Sequence, residues 1–99
     1  MPVFVVLFNI SNQGMKNIKE APQGLEQAHK AIEKMGGKVL ACYCVMGEYD
    51  SVGIYEMPSD EAMLSWALGM AASGTVRTTT MKAFTIEAFV EAIKRLPEG

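Results

Sequence analysis

Five side chains in this chain have the type and placing to do chemistry: Asn9, His29, Tyr49, Asp50 and Arg77. Asp50 closes the turn Gly47-Glu48-Tyr49-Asp50, where it could accept a proton, orient a polar ligand, or bond turn amides as Asp commonly does. Tyr49 could donate its hydroxyl to a ligand, or pack its ring and wet its tip. As neighbours entering a strand, the two would point to opposite faces unless the turn re-aims one of them. Arg77 is the only arginine within a predicted strand. A guanidinium on an otherwise apolar strand must be paired or must face a cavity. It could clamp the carboxylate of a small molecule, or form an ion pair with Asp50 or Glu56. His29 is the sole histidine and sits at the edge of a helical apolar stripe. It could be a general base, although a boundary histidine is the plainer reading. Asn9, at the end of the first strand, could add a polar group, as could Thr78 and Thr80 on the last strand, where threonine also serves β propensity. Asp50 and His29 are therefore the candidates for catalysis, and Asn9, Tyr49, Asp50 and Arg77 for ligand binding. A lone histidine without ligand-spaced Cys, Asp or Glu does not build a metal centre, so no metal is expected.

Other constellations are incomplete. Cys42 and Cys44 sit two apart on a predicted strand and share a face, an extended geometry that closes a disulfide poorly. They read as reduced structural thiols, because a C-x-C pair with no histidine or further cysteine nearby leaves a zinc site half built. The eight methionines and Trp66 read as core filling, with an adaptable apolar pocket as the alternative. Lys16 and Lys19 fall on a polar loop and read as solvated. The chain has no G-x-G-x-x-G, P-loop, C-x-x-C or G-x-S-x-G, so nucleotide-dependent chemistry and serine hydrolysis lack support and no cofactor is expected. Formal net charge is −2 with both signs interspersed; without a basic stripe, nucleic-acid binding has no electrostatic basis. No apolar run reaches the ~20 residues of a membrane span. Val3–Phe8 lacks the basic flank of a secretory signal, so a cytoplasmic protein with reduced thiols is expected.

The elements that must position these residues follow from periodicity. Pro2–Asn9 reads as a strand. Ser11–Gly14 reads as a loop. From Gln23 the apolar residues Leu25, Ala28, Ile32 and Met35 fall on one helical face, and Gly36-Gly37 stops that helix. Lys38–Met57 is two apolar runs around Gly47–Asp50, a β-hairpin. Ser59 caps a second helix running to about Ala72, apolar on nearly all sides and so expected to be buried over most of its surface. Val76–Phe84 is the fourth strand, and Thr85 caps a last helix with the apolar stripe Ile86, Phe89, Val90 and Ile93.

The order β-α-β-β-α-β-α is an α+β, ferredoxin-like split βαβ arrangement with an extra C-terminal helix, in a single domain spanning 1–99. Its antiparallel sheet carries both long helices on one face. Yet the strands are apolar at both parities: Val3, Val5 and Leu7 on one side of the first strand, Phe4, Val6 and Phe8 on the other. An apolar face of that extent marks an interaction surface. Ninety-nine residues bury only about 60–65% of their unfolded surface, so association also helps stability. A homodimer pressed sheet to sheet is the expected solution.

Several segments together carry a family resemblance. They are the opening strand ending in Asn9, the loop with Gly14, Lys19-Glu20-Ala21-Pro22, Gly36-Gly37-Lys38, Met46-Gly47-Glu48-Tyr49-Asp50 and Val76-Arg77-Thr78-Thr79-Thr80. In this order and over essentially the whole length, the chain resembles the GYD-domain family. The name motif is matched by Gly47, Tyr49 and Asp50, with Glu48 interposed. The resemblance implies a dimeric ferredoxin-like α+β barrel and no particular activity. Related dimeric barrels include cofactor-independent monooxygenases, chlorite dismutase-like haem enzymes and amino-acid-sensing domains, all fold-level analogies. The expected role is binding of a small, partly apolar ligand in a cleft between sheet and helices. A cofactor-independent monooxygenase- or isomerase-like enzyme and a structural interaction module are the alternatives.

Overall fold

The computed structural model of the chain describes residues 1–98. Its elements are β1 (Val3–Ile10), α1 (Asn12–Lys16), a 3₁₀ turn (Ile18–Glu20), α2 (Ala21–Lys34), β2 (Lys38–Cys44), β3 (Ser51–Glu56), α3 (Asp60–Ser73), β4 (Val76–Ala83) and α4 (Ile86–Lys94). The four strands form one antiparallel sheet in the order β2-β3-β1-β4. This is the expected α+β, ferredoxin-like fold, with both long helices packed on one face.

Strand pleating separates the two faces. On β1 the buried residues alternate: Phe4, Val6 and Phe8. Register places Tyr55, Gly53 and Ser51 of β3 beside them. With Met57, Ala28 and Ile32 of α2, and Met63 and Trp66 of α3, they make the core. The opposite face carries Val3, Val5 and Leu7, with Val52 and Ile54 of β3 and Thr79 and Met81 of β4 as register partners. Among the described residues no element covers it.

A bulge at Leu40 changes the parity of β2. Val39 pairs with Tyr55 but Ala41 pairs with Ile54, so these two residues point to opposite faces. Beyond the bulge, Cys42 faces the helices and Tyr43 the open side. Leu40 and Tyr43 are exposed.

Helix boundaries follow local chemistry. Pro22 lies in the first turn of α2, where its missing N–H costs nothing, so α2 begins two residues before the periodicity suggests. Gly36 follows α2 with φ +88, a left-handed conformation that glycine adopts without strain. Ser59 caps α3 by accepting from Ala62 N–H, and Gly74 ends it. Thr85 caps α4 by accepting from Ala88 N–H.

Three expectations need correction. Ser11–Gly14 is not a plain loop: the Ser11 hydroxyl accepts from Gly14 N–H at 3.1 Å and starts α1. The hairpin connection is longer than four residues: it runs from 45 to 50, closed by Val45 N–H donating to the Asp50 carbonyl at 2.9 Å. And α3 is buried only along Met63 and Trp66, while Leu64 and Leu68 are 60% and 61% exposed. Among the described residues nothing covers Leu64 and Leu68 on the outer side of α3, so its all-round apolar character is not matched by burial.

Candidate functional site

The sequence candidates divide between two places. Asn9, Tyr49, Asp50 and Arg77 gather at one end of the sheet. Asn9 and Arg77 are register partners across β1 and β4. The Asn9 amide donates to the Glu48 carbonyl at 2.8 Å, tying β1 to the 45–50 connection. The Asp50 carboxylate accepts from the Ile10 backbone N–H at 2.7 Å, while Asp50 N–H donates to the Phe8 carbonyl at 2.8 Å. Asp50 thus extends the β1–β3 pairing past the end of the ladder. Tyr49 lies in the connection rather than on a strand and is half-buried.

Arg77 is exposed and forms no ion pair or side-chain hydrogen bond among the described residues. Neither anticipated partner meets it: Asp50 is engaged with Ile10, and Glu56 lies opposite Val3, at the far end of β1. Arg77 instead lines an open cleft of about 540 Å³ with Asn9, Ile10, Ser11, Asn12, Gln13 and Gly74. This cleft lies beyond the ends of β1 and β4, beside α1. The space between sheet and long helices is filled by core side chains. The cleft walls carry two side-chain amides from α1 and one guanidinium, groups that suit a small anionic or amide-bearing molecule.

His29 stands apart, under the helix-covered face. Its Nε2 is 2.9 Å from the Tyr55 hydroxyl, and the two rings meet edge to face with centroids 5.4 Å apart. Tyr55 is fully buried. It stacks edge to face on Trp66 at 5.4 Å, and Trp66 on Phe8 at 6.2 Å. The Trp66 indole N–H donates to the Ala28 carbonyl at 3.1 Å. The Cys42 thiol faces the same Tyr55 hydroxyl. Gly53 makes the arrangement possible: a Cβ there would run into the Tyr55 ring and hydroxyl. Burial holds His29 below the usual imidazole value, with the Glu33 carboxylate pulling the other way. Burial raises the Cys42 thiol, a shift that the Tyr55 hydroxyl opposes and Cys44 adds to. Burial also pushes the Tyr55 phenol far above its ordinary range. All three groups are therefore neutral near pH 7, and the 2.9 Å hydrogen bond joins a neutral imidazole to a neutral phenol.

Asp50 and His29 do not share a site. The Tyr55 hydroxyl sits over Gly53, three residues along β3 from Asp50, roughly 10 Å at strand rise. Tyr55 and Cys42 were not singled out as partners of His29 from sequence. The signal was the spacing Gly53-x-Tyr55, a small residue two before a large one on the same strand face. Cys42 and Cys44 are both unpaired thiols. Among the described residues no three His, Cys, Asp or Glu side chains gather as a metal site, and no helix is long and apolar enough to cross a membrane.

A protein of Thermus thermophilus, named as a glutamine synthetase and cystathionine beta-lyase binding protein, is 27% identical over 95 residues, covering 95% of this chain and 100% of that protein. Among solved structures, FFRP-DM1 matches with TM-score 0.60 at 19% identity, over 85% of this chain and 100% of its own. LrpC of B. subtilis matches with TM-score 0.58 at 18% identity, over 85% of this chain but 51% of its own. At these identities the structural matches establish the fold alone. The model of the GYD domain matches residues 4–93, nearly the whole chain, and the protein belongs to the GYD-domain family.

Proposed function

We propose that this chain is a protein-interaction module: a homodimer joined through the helix-free faces of two sheets, which binds a folded protein partner. The observation that carries the reading is an excess of uncovered surface together with an apolar sheet face that no described element covers. A compact monomer of this size exposes about 5,500 Å². This chain exposes 7082 Å², an excess of about 1,500 Å² over that expectation. Its radius of gyration is 15.6 Å, against about 13 Å for a compact chain of 100 residues. Val5, Leu7, Val52 and Ile54 form the centre of the open face, flanked by Met81. An isologous contact there buries apolar area on both copies at once. The Thermus relative, matched along its whole length, is named for binding two enzymes, which supports an enzyme as the partner here.

Sedimentation velocity tests the dimer. The wild type is expected to sediment as a dimer at micromolar concentration and Leu7→Lys as a folded monomer. Interferometry with purified glutamine synthetase and cystathionine β-lyase tests the partner. Saturable binding of either supports the reading; binding of neither removes these partners.

One observation favours a second reading. The Arg77 guanidinium, without a partner among the described residues, opens on a cleft with the Asn9, Asn12 and Gln13 amides. This is a setting for a small carboxylate-bearing ligand held by Arg77 and Asn9, with Tyr49 and Asp50, which do not line the cleft, supporting its rim through the 45–50 connection. Native mass spectrometry of the purified protein would reveal such a molecule as a mass increment that Arg77→Ala removes.

A further inference from the structure

The C-terminal helix is the least explained part of the molecule. α4 has a continuous apolar stripe, yet none of its residues is buried. Ile86 is 74% exposed, Phe89 59% and Ile93 49%, and the flanking Phe84 and Leu96 are 71% and 66% exposed. Only Phe84 and Thr85 separate α4 from β4, an edge strand. The helix is held clear of the core, and the molecule reaches 55 Å along its longest axis. A nine-residue helix is marginal in water without tertiary cover, since isolated helices shorter than ~12–15 residues barely form. The face of the sheet that α2 and α3 occupy is already full.

Area points to the occupant. Four strands of 6 to 8 residues present a sheet face of roughly 19 by 23 Å, or about 440 Å² in plan. A stable interface of standard size takes about 800 Å² from each partner. In plan the open face is about half that figure, and the excess exposed surface of about 1,500 Å², polar and apolar together, leaves room for a further element in the contact. The stripe of α4 is an apolar surface outside the sheet face that could make up the difference. Its charged residues Glu87, Glu91 and Lys94 lie off the stripe, and Lys94 and Glu91 pair with each other at 3.2 Å.

We propose that α4 is an exchanged arm, whose stripe Ile86, Phe89, Val90 and Ile93 packs on a second copy of this chain and closes the rim of the dimer. The inference rests on the sheet-to-sheet dimer proposed above and adds a component to it. Two-fold symmetry seats both arms at once, each covering apolar ground of the other copy.

The test compares dimer dissociation constants by analytical ultracentrifugation. The double variant Phe89→Glu/Ile93→Glu is expected to weaken dimerisation by at least roughly 100-fold, because two apolar side chains lose their cover in each copy. Glu87→Gln, off the stripe, is expected to leave it unchanged. If the double variant dimerises like wild type while Leu7→Lys is monomeric, the arm is wrong and the sheet dimer stands. A wild type that stays monomeric sinks both. Isotope-filtered NMR on mixed dimers of ¹³C-labelled and unlabelled wild type keeps the test independent of folding in the variants. Contacts from the Phe89 ring to the unlabelled copy support the arm. Contacts only within its own copy overturn it.

Discussion

On β1, Phe4, Val6 and Phe8 point to the helices and are buried, whereas Val3, Val5 and Leu7 point the other way and stay half covered. The residue types barely differ. What differs is the chemistry gathered around them. On the covered face, aromatic residues with polar handles fix one another: Trp66 N–H on the Ala28 carbonyl, Tyr55 hydroxyl on His29, with Phe8, Trp66, Tyr55 and His29 linked edge to face. On the open face, the centre is aliphatic, with Thr79 and Tyr43 beside it on the flanking strands. A face with directional bonds specifies a single arrangement of its own chain. A smooth aliphatic face specifies only that something apolar should lie against it.

The sharpest way to break this contrast is a pair of truncations. Trp66→Ala removes a buried ring and its hydrogen bond and is expected to cost about 3–5 kcal/mol in urea denaturation. Leu7→Ala, measured at dilution where only monomer is present, is expected to cost under about 1.5 kcal/mol because its side chain is already half solvated. Equal losses would show that the two faces are alike in the monomer and that the open face needs no partner.

The same contrast explains what could be read from the sequence. Element order and fold were legible, because Leu25, Ala28, Ile32 and Met35 hold a helical period and β1 alternates at both parities. The apolar character of both sheet faces was legible too. Which face the helices would cover was not, since Phe4 and Val5 are equivalent to a pattern. The cap of α1 by Ser11 was missed because five residues carry too little periodicity to register. The Tyr55–His29–Cys42 cluster depends on the Leu40 bulge and on a bare Gly53, neither of which leaves a periodic trace. The gathering of Asn9, Asp50 and Arg77 at one sheet end emerges only once register is known. Their side chains differ there in a way the sequence does not show: Asn9 and Asp50 bind backbone, while Arg77 binds nothing among the described residues.

That difference gives a smaller test, at the rim between the two faces. Asp50→Ala leaves Ile10 N–H without its acceptor and removes one of the three bonds that tie the 45–50 connection to β1, and is expected to cost about 1.5–3 kcal/mol, the range for a hydrogen bond to a charged group. Arg77→Ala is expected to change stability by no more than about 0.5 kcal/mol. Chemical denaturation of both variants checks this. A large loss from Arg77→Ala would mean that the guanidinium is structural, and would remove the cleft as a candidate site.

The smallest expected effect concerns pH, and only the covered face should show it. His29 is held below its ordinary 6.5 because burial disfavours the imidazolium, against the weaker pull of Glu33. The unfolded chain therefore takes up a proton at higher pH than the folded one. Between the two values the unfolded state binds more protons, so stability falls as pH drops below about 6.5 and the loss is complete below the folded-state value. Protonation also leaves Nε2 able only to donate to the Tyr55 hydroxyl, since imidazolium has no acceptor. Urea midpoints measured between about pH 7.5 and pH 5.5 should decline for wild type and flatten for His29→Gln. The open-face variant Leu7→Lys should keep the wild-type decline, because Leu7 lies on the far side of the sheet from His29. If His29→Gln and wild type track each other across this interval, the imidazole is not held neutral by the core, and the covered face owes its specificity to ring packing alone.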